Sequence, residues 1–555
     1  MKKITVMICA MMMATSYFAP AQKLALEKTY EITGKAKRGY LDDVKYDPNT
    51  GQMMLSFVTR SSNNFTGSKT KVKYQDYYFD KEYNFIKMEE NEDVYRNKRF
   101  KHDKGETYTV EGVYVQNNFT GTFVLRKKLI TYKWDWFFGG YKRKVKLLEK
   151  VKPKDDSGNK YTLVRKWENN ETGEVIAMVM GKGKTSVPNE YYLLKIDPSL
   201  TFTVQDKFKF ETPQAIAASM LITNLETLEY DDSGLDEEDS GNEADDSDEQ
   251  GDLSTSEPGL IFANGSAGKK AKADPHGYTF IHLSADGKVL ERVAMQTGAS
   301  AWNINNMIQA GGSIYLMGPA NEGKYHDIGI PLGADLENMK WKLFQMAKIT
   351  TGKVEYMTVT DLDEFEAKLK TPPSQKKSPS YRGKRFHFTT AELHNDGSIM
   401  IAGQNYVRQK KDNVQMKSYR DVVSFLFGAD GKLKAQYGVR REENNKYAKM
   451  VATEQIISSG KNAIYWTIME MDGIRTEREG KEKYIKAKIY PSIARIDPNS
   501  GDISDFVQFG TVDGKPEYYL HNQMPVLGID QDNAIVFMGT NGTGKTLWFA
   551  KLVME

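Results

Sequence analysis

Cysteine is almost absent. The chain of 555 residues holds one, Cys9, inside an apolar N-terminal segment. A mature chain starting beyond it has no thiol, which excludes disulfides, a cysteine nucleophile and thiolate metal sites. Histidine is scarce too, seven in all, and no H-E-x-x-H pair offers zinc a helical face. The histidines read as surface or loop residues; His387 and His394, an odd number apart, fall on opposite faces of a regular strand. No serine or threonine sits in a G-x-S-x-G elbow. No apolar run after the N-terminal segment is long enough to cross a bilayer as a helix. Sustained 3.6-residue periods are missing as well, so helices should be few.

What is present begins with Met1-Lys2-Lys3, an apolar run from Ile4 to about Phe18, and the small-x-small pattern Ala19-Pro20-Ala21. This is the pattern of a secretory signal peptide over residues 1–21. The residues before Cys9 are Val-Met-Ile, not the small ones that precede a lipidated cysteine, so an export signal without a lipid anchor is expected. The protein is then periplasmic or extracellular.

Short apolar runs fill the rest, each closed by a turn. AGGSIYLMG at 310–318, NDGSIMIAG at 395–403, GKNAIYWT at 460–467 and NAIVFMG at 533–539 are variants of one pattern. Runs of this length, rich in Ile, Val and Tyr and bounded by Gly, Asn and Asp, read as strands in hairpins. Asp47-Pro48-Asn49-Thr50-Gly51 joins two strands, with Pro early in the turn and Gly late. Asn63-Asn64-Phe65-Thr66-Gly67 recurs as Asn117-Asn118-Phe119-Thr120-Gly121, which suggests that a second unit repeats the first. Units of four strands in some 55 residues suit propeller blades. Eight can be counted, or seven if the diverged second unit is miscounted. The last supplies only about three strands, while 24–33 is a strand without a partner. The N-terminal strand is therefore expected to complete the last blade and close the ring. The whole of 22–555 reads as one all-β domain, with a disordered acidic insertion at about 230–257 and a polar linker at about 366–385.

Gly539, Gly544, Lys545 and Thr546 fit G-x-x-x-x-G-K-T. A phosphate-binding loop needs a helix after it. Here nine residues rich in aromatic and branched side chains follow before the sequence ends, so the motif reads as a hairpin turn.

The repeated turns, Asp47–Gly51, Asp497–Gly501, Ala285–Lys288 and Ala429–Lys432, carry a resemblance to secreted or periplasmic bacterial β-propellers. The resemblance is architectural and spans most of 22–555. It implies a rigid ring whose loops present broad surfaces. The S-x-D-x-G-x-T-W box of sialidase-like propellers, a Trp-Asp blade ending and a repeated Trp-docking motif are all missing.

Two stretches stand out as candidate sites. Trp134, Trp136, Phe137 and Phe138 crowd one hairpin tip ahead of Lys142, Arg143, Lys144 and Lys146. Trp and Arg are favoured at interface centres, so this tip reads as a partner contact; the bland alternative is packing against a neighbouring blade. Residues 231–252 hold twelve Asp or Glu and no Lys or Arg. At their end, Asp246, Asp248, Gln250 and Gly251, with Glu257 beyond, resemble a calcium loop. Gln250 breaks the pattern and Pro258-Gly259 forbids the following helix, so a solvated loop is the simpler reading, with calcium a weak alternative. A basic body with an acidic insert, exported, is unlike a nucleic-acid binder.

No catalytic residue, cofactor or metal ligand can be assigned from the sequence. The favoured function is a non-catalytic interaction module for a protein partner in the cell envelope, such as an accessory or plug-like subunit of an outer-membrane or secretion assembly. The alternatives are a propeller enzyme of glycan hydrolase or lyase type, since Asp/Glu pairs are plentiful, and a surface protein that binds glycan or peptide. N-terminal sequencing of the mature protein should begin at Gln22; an intact Met1 refutes the signal peptide.

Overall fold

The structure, a computed structural model, describes residues 24–554 apart from 48–49, 64–68, 97–106, 136–139, 182–187, 226–252, 254–255, 265–273, 275, 323–340, 384, 412–413, 442–447, 480–481, 522–524 and 530–532. Residues 1–21, expected above to be a signal peptide, lie outside that range. The fold is all-β, a succession of small antiparallel meanders. Two short helices, Gly34–Arg38 and Leu362–Ala367, interrupt it.

Sheet 1 runs through Tyr40–Tyr46, Met53–Asn63, Lys69–Phe79 and Phe85–Arg96. Sheet 2 has Tyr108–Asn117, Phe123–Asp135 and Gly140–Val151; sheet 3 starts at Tyr161–Glu168 and ends with Phe202–Lys209. Sheets 4 and 5 start at Gln214–Asn224 and Asn306–Ala310 and end at Val289–Gln296 and Lys353–Asp361. Their first strands pair in parallel through Thr223↔Ile308 and Asn224↔Gln309, which sets the first strands side by side. Sheet 6 holds Phe386–Leu393, Ile399–Lys411, Val414–Phe427 and Leu433–Val439. Sheet 7 holds Gln455–Ser459, Ile464–Glu479, Glu482–Ile496 and Val507–Gln508. Sheet 8 holds Ala534–Asn541 and Thr546–Val553, with Tyr518–Leu520 and Val526–Ile529 both pairing with the first of these as one interrupted strand.

The fourth strand of sheet 8 is Leu24–Glu31. It pairs antiparallel with Thr546–Val553, from Leu24↔Leu552 to Glu31↔Thr546. Its alternation of half-buried and exposed residues is that of an outer strand with one covered face. Trp548 Nε1 donates to Glu27 Oε1 at 2.7 Å across the seam.

Several second strands are buried along most of their length, as in Ser313–Asn321 and Ala534–Asn541. That explains why they appear in the sequence as unbroken apolar runs. Ile314, Ile399, Ile464 and Ile535 all lie on second strands and are all buried. Apolar clusters then join one sheet to the next. They link sheets 2 and 3, 3 and 4, 4 and 5, 5 and 6, 6 and 7, 7 and 8, and 8 and 1. Among the described residues no such cluster joins sheet 1 to sheet 2.

Four expectations need correction. The second unit contributes three described strands, not four. The two N-N-F-T-G stretches are not equivalent: the first lies between second and third strands, the second between first and second. The second is turn chemistry; most of the first lies outside the described residues. Asn118 Oδ1 accepts from Thr120 N at 3.0 Å and Thr122 N at 2.9 Å, a local loop that any hairpin can use. The insertion is shorter than 230–257. Leu253 is buried, its N donates to Glu168 O at 3.1 Å, and Glu257 opens a strand. An apolar side chain at the end of an acidic run finds a core and anchors the return.

The segment 366–385 is no free linker. Its Leu369 bridges Gln436 in parallel, Ser374 N donates to Asp505 Oδ1 at 2.7 Å, and Tyr381 is fully buried. Gln436 holds it: Tyr381 N donates to Gln436 Oε1 at 2.7 Å, and Gln436 Nε2 donates to Phe365 O at 2.8 Å.

Removing residues 22–33 should open the edge of Thr546–Val553 and expose Phe549 and Trp548. The expected result is a steep fall in melting temperature with growth of larger species in size-exclusion chromatography. For scale, Trp548→Ala alone should cost about 3–5 kcal/mol. An unchanged melting curve for the truncated chain contradicts the role of the seam.

Candidate functional site

The hairpin flagged in the sequence exists as backbone. Phe123–Asp135 pairs with Gly140–Val151 up to Trp134↔Tyr141 and Asp135↔Gly140. Trp136, Phe137 and Phe138 lie outside the described residues, as does the orientation of the Trp134 ring. What the structure adds lies further down the hairpin. Gly140–Val151 is the last strand of its sheet, and among the described residues nothing pairs with its outer edge. Lys142, Arg143, Lys144, Lys146 and Lys150 lie along it, all exposed. Between them Val145 and Leu147 are about half exposed, at 46% and 50%. A long, unpaired edge with apolar side chains is unusual; its lysines discourage promiscuous pairing without preventing a complementary strand.

A second site was not legible in the sequence. A cleft opens between sheets 6 and 7 under the strap 374–382. One compartment, of about 660 Å3, is bordered by Lys377, Arg382, Arg420, Arg440, Arg441 and Lys449. Asp421 is the only carboxylate among its lining residues. Among the described residues no ion pair engages Lys377, Arg382, Arg420, Arg440 or Lys449. Arg441 is anchored, its Nη1 donating to Val451 O at 2.8 Å.

The compartment is shaped by a bulge. Pairing jumps from Gln404↔Val422 to Tyr406↔Tyr419, leaving Asn405 opposite both Arg420 and Asp421. A bulge of this kind turns side chains out of the regular alternation, and all three border the cavity. Two polar atoms in its wall are buried without a partner among the described residues, Ser378 Oγ and Asn405 Oδ1; their residues are 1% and 8% exposed. The rings of Tyr406 and Tyr419 stand 6.3 Å apart.

The adjoining compartment, of about 990 Å3, shares Lys377, Arg440 and Arg441 with the first. Its sheet 7 wall has its own bulge: Met471↔Ile489 is followed by Ile474↔Ala487, with Asp472 and Gly473 facing Lys488. Gly473 has φ +102°, which L side chains rarely adopt. The carboxylates here are engaged. Tyr490 Oη donates to Glu470 Oε2 at 3.0 Å, and Asp472 Oδ2 accepts from Lys488 Nζ at 3.0 Å and Tyr519 Oη at 2.8 Å. Burial, then the Glu470 charge, pushes the Tyr490 hydroxyl well above the usual phenol range.

Other sequence candidates fall elsewhere. Thr546 opens a strand and Lys545 pairs with Glu31 at 2.8 Å, so the G-x-x-x-x-G-K-T stretch is a hairpin turn. Of the calcium-like set only Glu257 is described; it starts a strand and faces His282 Nε2 at 2.7 Å. His282 and His394 are buried, not surface residues. His387 and His394 do not sit on one regular strand, because a bulge between Phe388 and Thr390 shifts the register. Among the described residues no three His, Cys, Asp or Glu gather where a metal ion could sit.

No protein-family model matches the sequence, and no curated protein does. Solved structures align over most of the chain but loosely. A eukaryotic initiation factor is 8% identical, covering 86% of this chain and 90% of its own, with a TM-score of 0.25. An apocarotenoid oxygenase of Synechocystis is 10% identical over 79% and 88%, at 0.26. An exo-β-1,3-galactanase from Clostridium thermocellum is 10% identical over 82% and 95%, at 0.24. Scores this low carry no argument about function.

His387, on the strand beside the cleft, packs edge-on against Tyr419 with ring centroids 5.1 Å apart. Burial, reinforced by Lys417, pushes its imidazole down to about 4. The unfolded chain takes up a proton near pH 6.5, and the folded one resists until about pH 4. Stability should therefore fall as pH drops through that window and level off below it, by about 2 kcal/mol for this group once the full linkage value, roughly 3 kcal/mol, is discounted for its partial exposure to solvent. Thermal melts of the parent and His387→Gln should converge in slope above pH 7 and diverge below 6.5; parallel curves throughout count against it.

Proposed function

We propose that this chain is an exported, ring-shaped interaction module. The eight sheets form the blades of one propeller domain spanning 22–555, with the ring completed by approach of sheets 1 and 2. Seven shared apolar clusters and the seam between the two chain ends support this arrangement. Its contact element is the hairpin of sheet 2, with Trp134, Trp136, Phe137 and Phe138 at the tip and the bare edge of Gly140–Val151 along the side. The observation that carries the reading is that edge, the outer strand position filled in the other sheets and unfilled here. An extended segment of a partner protein in the cell envelope would add as a fourth strand. Main-chain hydrogen bonds would supply affinity and alternate side chains specificity. The lysines and arginine beside Val145 and Leu147 favour an acidic segment with alternating apolar residues.

A labelled peptide alternating glutamate and valine should bind the full-length protein and slow amide exchange within 140–151. The pair Lys144→Glu and Lys146→Glu should weaken it by about tenfold or more, through repulsion in place of attraction. Binding that leaves those amides unprotected, or that survives the charge reversal, rejects the reading.

A further inference from the structure

We infer that the basic compartment beneath the strap is a binding site for a sugar bearing a phosphate or sulfate ester. This site is separate from the hairpin of sheet 2 and does not depend on the role proposed for it.

The charge comes first. Lys377, Arg382, Arg420, Arg440 and Lys449 surround the space without a counter-ion among the described residues, and only Asp421 opposes them. Like charges gathered this closely repel one another, and an anion relieves the repulsion. Three of those five are arginines. Guanidinium groups present forked donors that match the oxygens of phosphate or sulfate, which a single lysine cannot do.

Surface cations alone would not make a site. The wall supplies two buried groups that do. Ser378 Oγ is buried in the wall with no partner among the described residues, and its hydroxyl can donate to an oxyanion. Asn405 Oδ1 is likewise buried without a partner, and it can only accept. An ion with no hydrogen to give, such as sulfate, leaves Asn405 unsatisfied at a cost comparable to a lost hydrogen bond. A ligand that satisfies both carries an anionic group and a donor such as a hydroxyl; sulfate lacks the donor, and hydrogen phosphate has it only on the anion itself.

Shape agrees. Tyr406 and Tyr419, each less than a tenth exposed and tilted 50° to one another, line part of the space as apolar wall that a sugar can touch. The volume, about 660 Å3, is in the range that small-ligand sites occupy. The bulge that frees Asn405 also brings Arg420 and Asp421 to the same mouth, so acceptor and cation meet within one turn of backbone irregularity.

Isothermal titration of the full chain tests this with five probes: glucose 6-phosphate, glucose 6-sulfate, glucose, inorganic phosphate and inorganic sulfate. Either ester should bind about tenfold or more tightly than the inorganic ions, with plain glucose weaker still. The ester that binds better separates a phosphorylated ligand from a sulfated one. Arg440→Gln, an exposed position, should weaken the ester about tenfold while leaving the ligand-free melting curve unchanged. Ser378→Ala should weaken it as well, and Asn405→Ala should remove the advantage of the esters over the inorganic ions. Equal binding of ester and inorganic ion overturns the sugar assignment. Binding of plain glucose as tight as the ester overturns the charge assignment, and unaltered affinity in both Arg440→Gln and Ser378→Ala overturns the site.

Discussion

The structure depends on one ladder, in which Leu24–Glu31 lies along Thr546–Val553. A meander of sheets has two ends, and each end would leave a strand with unsatisfied amides and carbonyls. Here the two chain ends satisfy each other. The consequence extends beyond the backbone. Phe549, on the paired strand, packs against Phe79 and Tyr83 of sheet 1, with ring centroids 5.0 and 5.4 Å away. Trp548, on its other face, belongs to the cluster shared with sheet 7. One strand pairing therefore fixes the positions of three sheets. Contacts between residues more than five hundred positions apart form only after the intervening chain is largely in place, so this seam should be among the last elements to assemble.

Between the sheets a second device recurs, the buried glutamine. Gln345 Oε1 accepts from Ala299 N at 2.7 Å, Gln404 Oε1 from Thr453 N at 2.8 Å, and Gln436 Oε1 from Tyr381 N at 2.7 Å. Each sits on a strand and holds the backbone of a segment that joins or follows its sheet. Connecting segments carry amides that no ladder satisfies, and burying them unpaired would cost a lost hydrogen bond each. An amide side chain offers a donor and an acceptor together, and so can hold a crossing chain without a charge.

These two devices mark how much of the fold was legible. The hairpins were, because their turns are set by local chemistry. Thr50 and Gly51 close on Asp47, and Asn499 and Gly501 on Asp497, in the same way. The orphan strand at 24–33 was legible by subtraction, since the last unit was one strand short. The status of 366–385 was not. Its lysines and prolines look like a tether, and what orders it is Gln436, a polar residue in a later strand that gives no sign of burial. The N-N-F-T-G pair misled for the opposite reason: asparagine and glycine recur wherever a strand turns, so a match between turns carries little information about equivalence.

The basic cleft was invisible for a geometric reason. Its cations come from the strap, from Val414–Phe427, from the segment after Leu433–Val439 and from the short helix Ala448–Met450. No spacing along the chain brings these together. The fold does so, helped at Arg420 by the bulge at Asn405 in sheet 6, while the bulge at Asp472-Gly473 in sheet 7 shapes the adjoining compartment. Regular pleating would send alternate side chains into the two inter-sheet cores, where neither Arg420 nor Asp472 could be buried without a large desolvation cost. An extra residue in each hairpin breaks that alternation and turns the polar groups toward the opening. The irregular backbone and the charged mouth are thus the same feature. A strand that stayed in register would have had to give up the charges or bury them.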